Sequence, residues 1–427
     1  MRSYNETLQE HAQYLKEIKI GDHIFELPKS KLPASASVDN GKYPFICSSA
    51  DVKRTDVYLQ DMPAVVMGTG GIASVNLGKG KFAYSTDTWA FRADGQTITT
   101  EFLFRKIQQQ LHKIDYAAFE GSGLKHLRKD YVKNLMIEVP QNLLISAKME
   151  KILQTIDQAI EQTEVLIQKQ QKMKAGLIHD LFTRGMTVDG RLRPTRAQAP
   201  ELYKETPIGW IPKEWEINSI LDLAHESRGS TVIGPFGSDL VMTDYRTEGV
   251  PIIFVRDVKE DRFNWISNVF ITTNKAQSLY AHRVNAGDIL VTKMGLPPCI
   301  SSVYPDSMPM GVITADIIRM TPNTSKVRAD WLSSTLNFDR TKRQVAAITA
   351  GVTRPKVTLK DFRSLKIAVP SPSEQEMMMR SINKQKRLIE IEESRLVKFK
   401  QQKTGLMKDL LTGEVPVKID EAEVANV

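Results

Sequence analysis

Two cysteines and seven histidines in 427 residues leave this chain without a disulfide framework or the clustered ligands of a metal centre. Cys47 and Cys299 stand far apart, and so sparse a use of thiols suits a reducing cytoplasm. No apolar run approaches the ~20 residues of a membrane-spanning helix. The opening MRSYNETLQEHAQYLKEIK is polar where a secretory leader would be apolar, so a cytoplasmic protein with no membrane partner is expected. Catalytic signatures are missing as well. Residues 67–81 are glycine-rich like a phosphate-binding loop, but Gly78-Lys79 is followed by Gly80, which lacks the hydroxyl that holds magnesium. The nearest string to the (N/D)PP(Y/F) tetrapeptide of an adenine methyltransferase is Leu296-Pro297-Pro298-Cys299, without the amide or carboxylate and without the aromatic. Pro305-Asp306 has no later Asp or Glu placed two residues before a lysine, which one nuclease pattern requires. No catalytic and no metal-binding residue is assigned.

What is present is a statement made twice. Residues 121–140 read GSGLKHLRKDYVKNLMIEVP and residues 351–370 read GVTRPKVTLKDFRSLKIAVP. Aligned without a gap, Gly121 falls on Gly351, Leu135 on Leu365, Ile137 on Ile367, Val139 on Val369 and Pro140 on Pro370. Each copy runs into a long charged segment, and these end in the matching words AGLIHDLFTRG and TGLMKDLLTGE. The repeat predicts the order globular domain, helix, globular domain, helix. A chain of 427 residues, 41% hydrophobic and 25% charged, is long enough for two ordinary cores. The expected boundaries are a first domain over 1–140, a helix over 141–184, a linker over 185–212, a second domain over 213–370, a helix over 371–413 and a tail over 414–427. Pro194, Pro200, Pro207 and Pro212 break the helical pattern in the linker.

Both charged segments carry one ladder in steps of three and four. It runs Leu153, Ile156, Ile160, Thr163, Ile167, Gln170, Lys174, Leu177, Leu181 in the first and Ile382, Gln385, Ile389, Glu392, Leu396, Phe399, Lys403, Leu406, Leu410 in the second. Five rungs are apolar in both copies, a mean spacing of about 3.5 residues that makes such a seam face another helix. The helix-pairing residues expected are therefore Leu153, Ile160, Ile167, Leu177 and Leu181 with Ile382, Ile389, Leu396, Leu406 and Leu410. The polar rungs between them weaken the seam and set its register. If the helices pair antiparallel, the halves are related by a pseudo-twofold axis. A helix of about 38 residues is ~57 Å long, more than the ~34 Å of a DNA turn.

Lys and Arg number 58 against 50 Asp and Glu, a net charge of +8 that biases partners toward polyanions. Here the phrases GLIHDLFTRG, YKETPIGWIPKEW and IGPFGSDLVMTDY, in this order around the duplicated helices, resemble the specificity (S) subunit of Type I restriction-modification systems over nearly the whole chain. The resemblance implies an α/β fold with two target-recognition domains separated by two long helices in an antiparallel coiled coil. Each domain would read one half of an asymmetric bipartite sequence in double-stranded DNA. The helices would set the spacing and dock two methyltransferase (M) subunits, with motor-nuclease (R) subunits joining the full complex. The chain itself would bind no cofactor; S-adenosylmethionine, ATP and magnesium would sit on the partners. An equivalent subunit of a Type II-like methyltransferase-nuclease fusion is the alternative. A stand-alone methyltransferase is disfavoured by the missing tetrapeptide, and a coiled-coil scaffold without DNA function is a further reading.

Within the domains, residues 43–46 align with 250–253, each followed by an Asp-Val pair, and residues 64–71 with 288–295, a β-branched run ending at glycine as a buried strand does before a turn. Loops at strand ends are where base reading is expected. The candidate DNA contacts are Lys53, Arg54, Lys79, Lys81, Lys125, His126 and Arg128 in the first domain, with Lys129 beside them. In the second they are Gly234, Phe236 and Ser238 in a turn whose N–H groups and hydroxyl suit phosphate, then Arg256, Lys259, Lys293, Arg354 and Lys356, with Arg262, Arg340, Lys342 and Arg343 in support. Each taken singly is equally a solvated side chain, and the turn equally a structural one; the set as a whole favours DNA.

Overall fold

The repeated phrase -Ile-x-Val-Pro closes each globular domain as a strand. In the first domain Met136–Pro140 pairs antiparallel with Leu15–Lys19; in the second Lys366–Val369 pairs antiparallel with Glu216–Ser219. Ile137 and Val139 are buried while Met136 and Glu138 are exposed, the period of two that a half-covered strand imposes. First and last strands of a domain are thus hydrogen-bonded to each other. This computed structural model describes residues 14–121, 125–351 and 353–417. The tail expected over 414–427 lies outside them beyond residue 417, as do residues 1–13 of the first domain. The chain divides into two compact units, one built from residues up to 166 with those from 392 onward, the other from 167–391.

The same sheets recur in both units. In the first, four strands lie in the order Ile24–Glu26, Thr88–Ala93, Ala64–Gly68, Val75–Gly78, all antiparallel. Beside them Tyr43–Ile46 runs antiparallel to Val52–Thr55 and parallel to Ala83–Tyr84. In the second the order is Thr231–Ile233, Ile317–Met320, Ile289–Thr292, Ser301–Val303, with Val250–Ile253 antiparallel to Phe270–Ile271 and parallel to Gly311–Ile313. The alignments of 43–46 with 250–253 and 64–71 with 288–295 therefore join topological equivalents. The Asp-Val pairs do not. Asp51 is exposed ahead of a strand that pairs with 43–46, whereas Asp257 is fully buried and Val258 enters a separate hairpin with Phe263.

Leu143–Arg184 and Pro372–Leu411 are the two long helices. In the first unit Asp157 meets Lys403 at 2.7 Å and Glu164 meets Lys400 at 2.8 Å; in the second Gln385 Nε2 donates to the Gln170 carbonyl at 3.2 Å. Within the first unit partner numbers rise on one helix as they fall on the other, so the helices run antiparallel. The second unit agrees, because the Met186 N–H just past the first helix donates to Glu374 near the start of the second, at 2.8 Å. Every rung of both ladders is buried or half-buried, whereas Val165, Met173, Leu388 and Val397, which lie off the seam, are exposed. Gln170 and Gln385, polar rungs on opposite helices, hydrogen-bond across it and so tie its register.

Each domain grips one helix by its C-terminal end. Leu410 and Leu411 are buried in the first core with Met149 and Leu153; Leu181 and Phe182 are buried in the second with Met378, Met379 and Ile382. A helix end leaves carbonyls unpaired, and burying them demands donors. The donor in the first unit is the buried Lys106, whose Nζ gives a 2.9 Å hydrogen bond to the Leu411 carbonyl. In the second it is Arg340, whose Nη1 donates at 3.1 Å to the carbonyl of Phe182, the repeat's counterpart of Leu411. A cation also complements the negative end of the helix dipole. Nearby, Arg105 is buried between Glu150 and Asp157, at 3.1 and 2.5 Å.

Burial pulls the Lys106 ammonium down to about 8 and the Arg340 guanidinium to about 10. Between pH about 8 and the ordinary lysine value of 10.5, the unfolded chain keeps a proton at Lys106 that the folded chain has released. Raising pH through that window therefore favours the folded state, by at most about 1.4 kcal/mol per pH unit from this group. Urea midpoints of the wild type should climb relative to Lys106→Met as pH rises through this window. Parallel curves would mean that Lys106 stays charged in the fold.

Candidate nucleic-acid interface

The buried strand Ala64–Gly68 runs out into a loop over residues 69–73 that is held on three sides. The Ser48 hydroxyl donates to the Gly70 carbonyl at 2.8 Å, and the Ala73 N–H donates to Asp115 Oδ1 at 2.6 Å. Gly71 N–H donates to the Lys125 carbonyl and Leu127 N–H to the Thr69 carbonyl, both at 3.0 Å. The start of the strand's turn admits nothing larger than glycine, because a Cβ on Gly68 would collide with the hydroxyl oxygens of Ser74 and Ser48. Lys125 and His126 are exposed beside this loop, and so is Tyr116, 92% exposed at the next position after Asp115.

The second unit repeats the arrangement with other side chains. Ile289–Thr292 runs into a loop over residues 293–299, and Gly295 N–H donates to the Pro355 carbonyl at 3.2 Å while Val357 N–H donates to the Lys293 carbonyl at 3.0 Å. Met294 bridges Lys356 as Gly70 bridges His126. In both units, then, the phrase opening at Gly121 or Gly351 is docked on the loop that follows the central strand. A cleft of about 660 Å³ lies alongside in the second unit, lined by Pro235, Gly237, Arg256, Lys259, Met294 and Asp316 among others. Its wall is built on Asp257, which accepts from the N–H groups of Phe254, Ile266 and Ser267 at 2.8 to 3.0 Å and from the Ser267 hydroxyl at 2.7 Å. Arg256 lies over Phe254, 4.5 Å from the ring centroid, and donates to Ser267. Burial pushes the Cys299 thiol up to about 12, which leaves it inert.

The candidate residues fall into several groups. Lys125 and His126 meet at the first unit's loop; Lys293, Arg354 and Lys356 meet at the second's, and Arg256 and Lys259 share the cleft with the turn that carries exposed Phe236 and Ser238. Lys79 and Lys81 stand elsewhere. They follow Gly78, which pairs with Ala64 at the opposite end of the central strand, ~17 Å from the loop at ~3.4 Å per residue. Lys81 lies 4.8 Å over the Tyr58 ring, and Lys53 is exposed on the outer strand.

Folding engages several candidates. Gly234 is buried with its N–H given to the Ile317 carbonyl, and a Cβ there would collide with the Thr314 carbonyl; it is a packing glycine with no donor left for phosphate. Arg54 spends Nε and Nη2 on the carbonyls of Gly41 and Lys42, and Arg128 is divided between Glu120 and the Ala117 carbonyl. Arg340 is the buried helix-end donor, and Lys342 pairs with Glu260 at 2.8 Å. The anchoring roles of Asp115, Asp257 and Lys106 are not legible in the sequence, because buried or loop-anchoring polar side chains carry no periodic signal.

Residues 15–170 and 212–401 match the sequence family described as the Type I restriction modification DNA specificity domain. The chain belongs to this family. It is 22% identical over 422 residues to the Type I restriction enzyme MjaVIII specificity subunit of Methanocaldococcus jannaschii, covering 94% of this chain and 93% of that one. It is also 25% identical over 317 residues to the putative MjaX specificity subunit of the same organism, covering 74% and 68%. The crystal structure of a Type I restriction-modification S subunit from M. genitalium superposes with a TM-score of 0.61 at 16% identity, over 93% of this chain and 96% of that one. The specificity subunit has, among its described residues, no helix long and apolar enough to cross a membrane and no group of side chains fit to hold a metal.

Arg354 and Lys356 are exposed on the docked loop and bind no described carboxylate. Replacing both with alanine should weaken binding to all DNA sequences and lower the slope of log K against log salt, by about 0.9 for each phosphate no longer neutralised. Titrations at several salt concentrations measure it. An unchanged slope with altered base preference would put these side chains in a groove instead.

Proposed function

We propose that this specificity subunit is the non-catalytic DNA reader of its complex, each domain recognising one half of an asymmetric bipartite target. The observation that carries the reading is the docked basic loop, repeated at the end of the central strand in both units and set among different neighbours in each. Shared geometry supports a shared task, and different surroundings support different half-sites. In this reading the paired helices set the distance between half-sites and dock two M subunits, and R subunits join them in the cytoplasm. S-adenosylmethionine, ATP and magnesium belong to those partners. Exposed apolar residues off the seam, such as Val165 and Met173 on one helix and Leu388 and Val397 on the other, offer surface for the M subunits.

The purified chain should neither methylate nor cleave DNA, and with its cognate M subunit it should permit adenine methylation. Exchanging residues 20–140 for the matching domain of another specificity subunit should change one half-site only, read by mapping N6-methyladenine across the host genome. If both half-sites changed together, the two domains would not be independent readers. A heptad inserted after Gln162 preserves the seam while adding ~10 Å, and should alter the spacer or abolish recognition. Two inserted residues rotate the seam by about 200° and should collapse the pairing. Full activity with an unaltered spacer in both would show that the helices do not set the distance.

A further inference from the structure

The residue just past the docked glycine is an exposed aliphatic in both units. Ile72 follows Gly71 and is 79% exposed; Leu296 follows Gly295 and is 84% exposed. The two are equivalent by alignment of 64–71 with 288–295, and equivalent by bonding, since Gly71 and Gly295 donate to Lys125 and Pro355, matched positions of the repeat. Both glycines hold a backbone that other residues rarely adopt, with φ of 83° and 156°, so each loop is bent to carry its aliphatic outward. Basic side chains flank both tips: Lys125 and His126 beside Ile72, Arg354 and Lys356 beside Leu296.

Resting on the DNA-reading function above, we infer that Ile72 and Leu296 are paired apolar wedges that enter the base stack of duplex DNA, one in each half-site. The basic side chains shared by both tips fit a polyanion, and in the second unit Leu296 also stands at the edge of the cleft. An aliphatic side chain has no donor or acceptor for a base edge; its sole specific contact would be a thymine methyl. The two domains differ in most of their exposed loops yet keep an aliphatic here, so the task it serves is common to both halves and independent of sequence. Parting a base step has that character, and leucine and isoleucine are among the side chains that do it. A parted step also lowers the cost of extruding a neighbouring base for chemistry by a partner.

The test uses the complex of the full chain with its methyltransferase partner and a duplex bearing the genomically mapped target. 2-Aminopurine is placed in turn at each step other than the methylated adenines. Wild type should raise fluorescence roughly threefold or more at one step in each half-site, as unstacking does. Ile72→Ser should remove one of these signals and Leu296→Ser the other, while Ile72→Leu and Leu296→Met keep both. Both positions are exposed, so folding is spared. A complex that binds the duplex but shows no enhancement, or keeps both signals in the serine variants, overturns the wedge and leaves the DNA-reading function standing. A complex that fails to bind any duplex removes both.

Discussion

Burial of the C-terminal ends of the long helices is the constraint on which the rest of this subunit depends. Leu181 and Phe182 complete one core, and Leu410 and Leu411 the other. Neither globular domain has a closed core without a helix end that enters it. The penalty for bringing unpaired carbonyls inside is met by Lys106 and Arg340, two different side chains from different helices that give the same hydrogen bond at matched positions. Physics required a donor at that place and left its identity open.

Antiparallel pairing follows from the same constraint. In each unit the domain holds the end of one helix and the beginning of the other, and a seam of buried rungs joins them. Polar rungs within the seam find each other, as Gln170 and Gln385 do, or find ions, as Lys403 does with Asp157. A seam interrupted this way is less cohesive than one of leucines alone, but its register is better defined.

Duplication also explains the candidate interface. A phrase read twice in the sequence docks twice in space, on the loop after each central strand, and brings basic side chains to that loop. The loops around it diverged: the second unit acquired a cleft organised by buried Asp257, while the first braces its loop with Ser48 and Asp115. Keeping the support while varying the rim is how one scaffold comes to present two surfaces.

The sequence by itself determined the duplication, the helical seam and the equivalence of matched strands, because periodic apolar residues report directly on burial and a repeat reports on topology. It placed Leu153, Leu181, Ile382 and Leu410 on the buried face for the same reason. Only the tertiary structure decided which charged side chains are free. Arg54 and Arg128 give part of their donors, and the helix-end donor Arg340 both of its Nη groups, to carbonyls and a carboxylate brought near by folding, and Gly234 spends its N–H on a strand carbonyl. Lys79 and Lys125 look alike in sequence and lie at opposite ends of one strand. A hydrogen bond joins atoms by distance in space, and that distance is not written in the local order of residues.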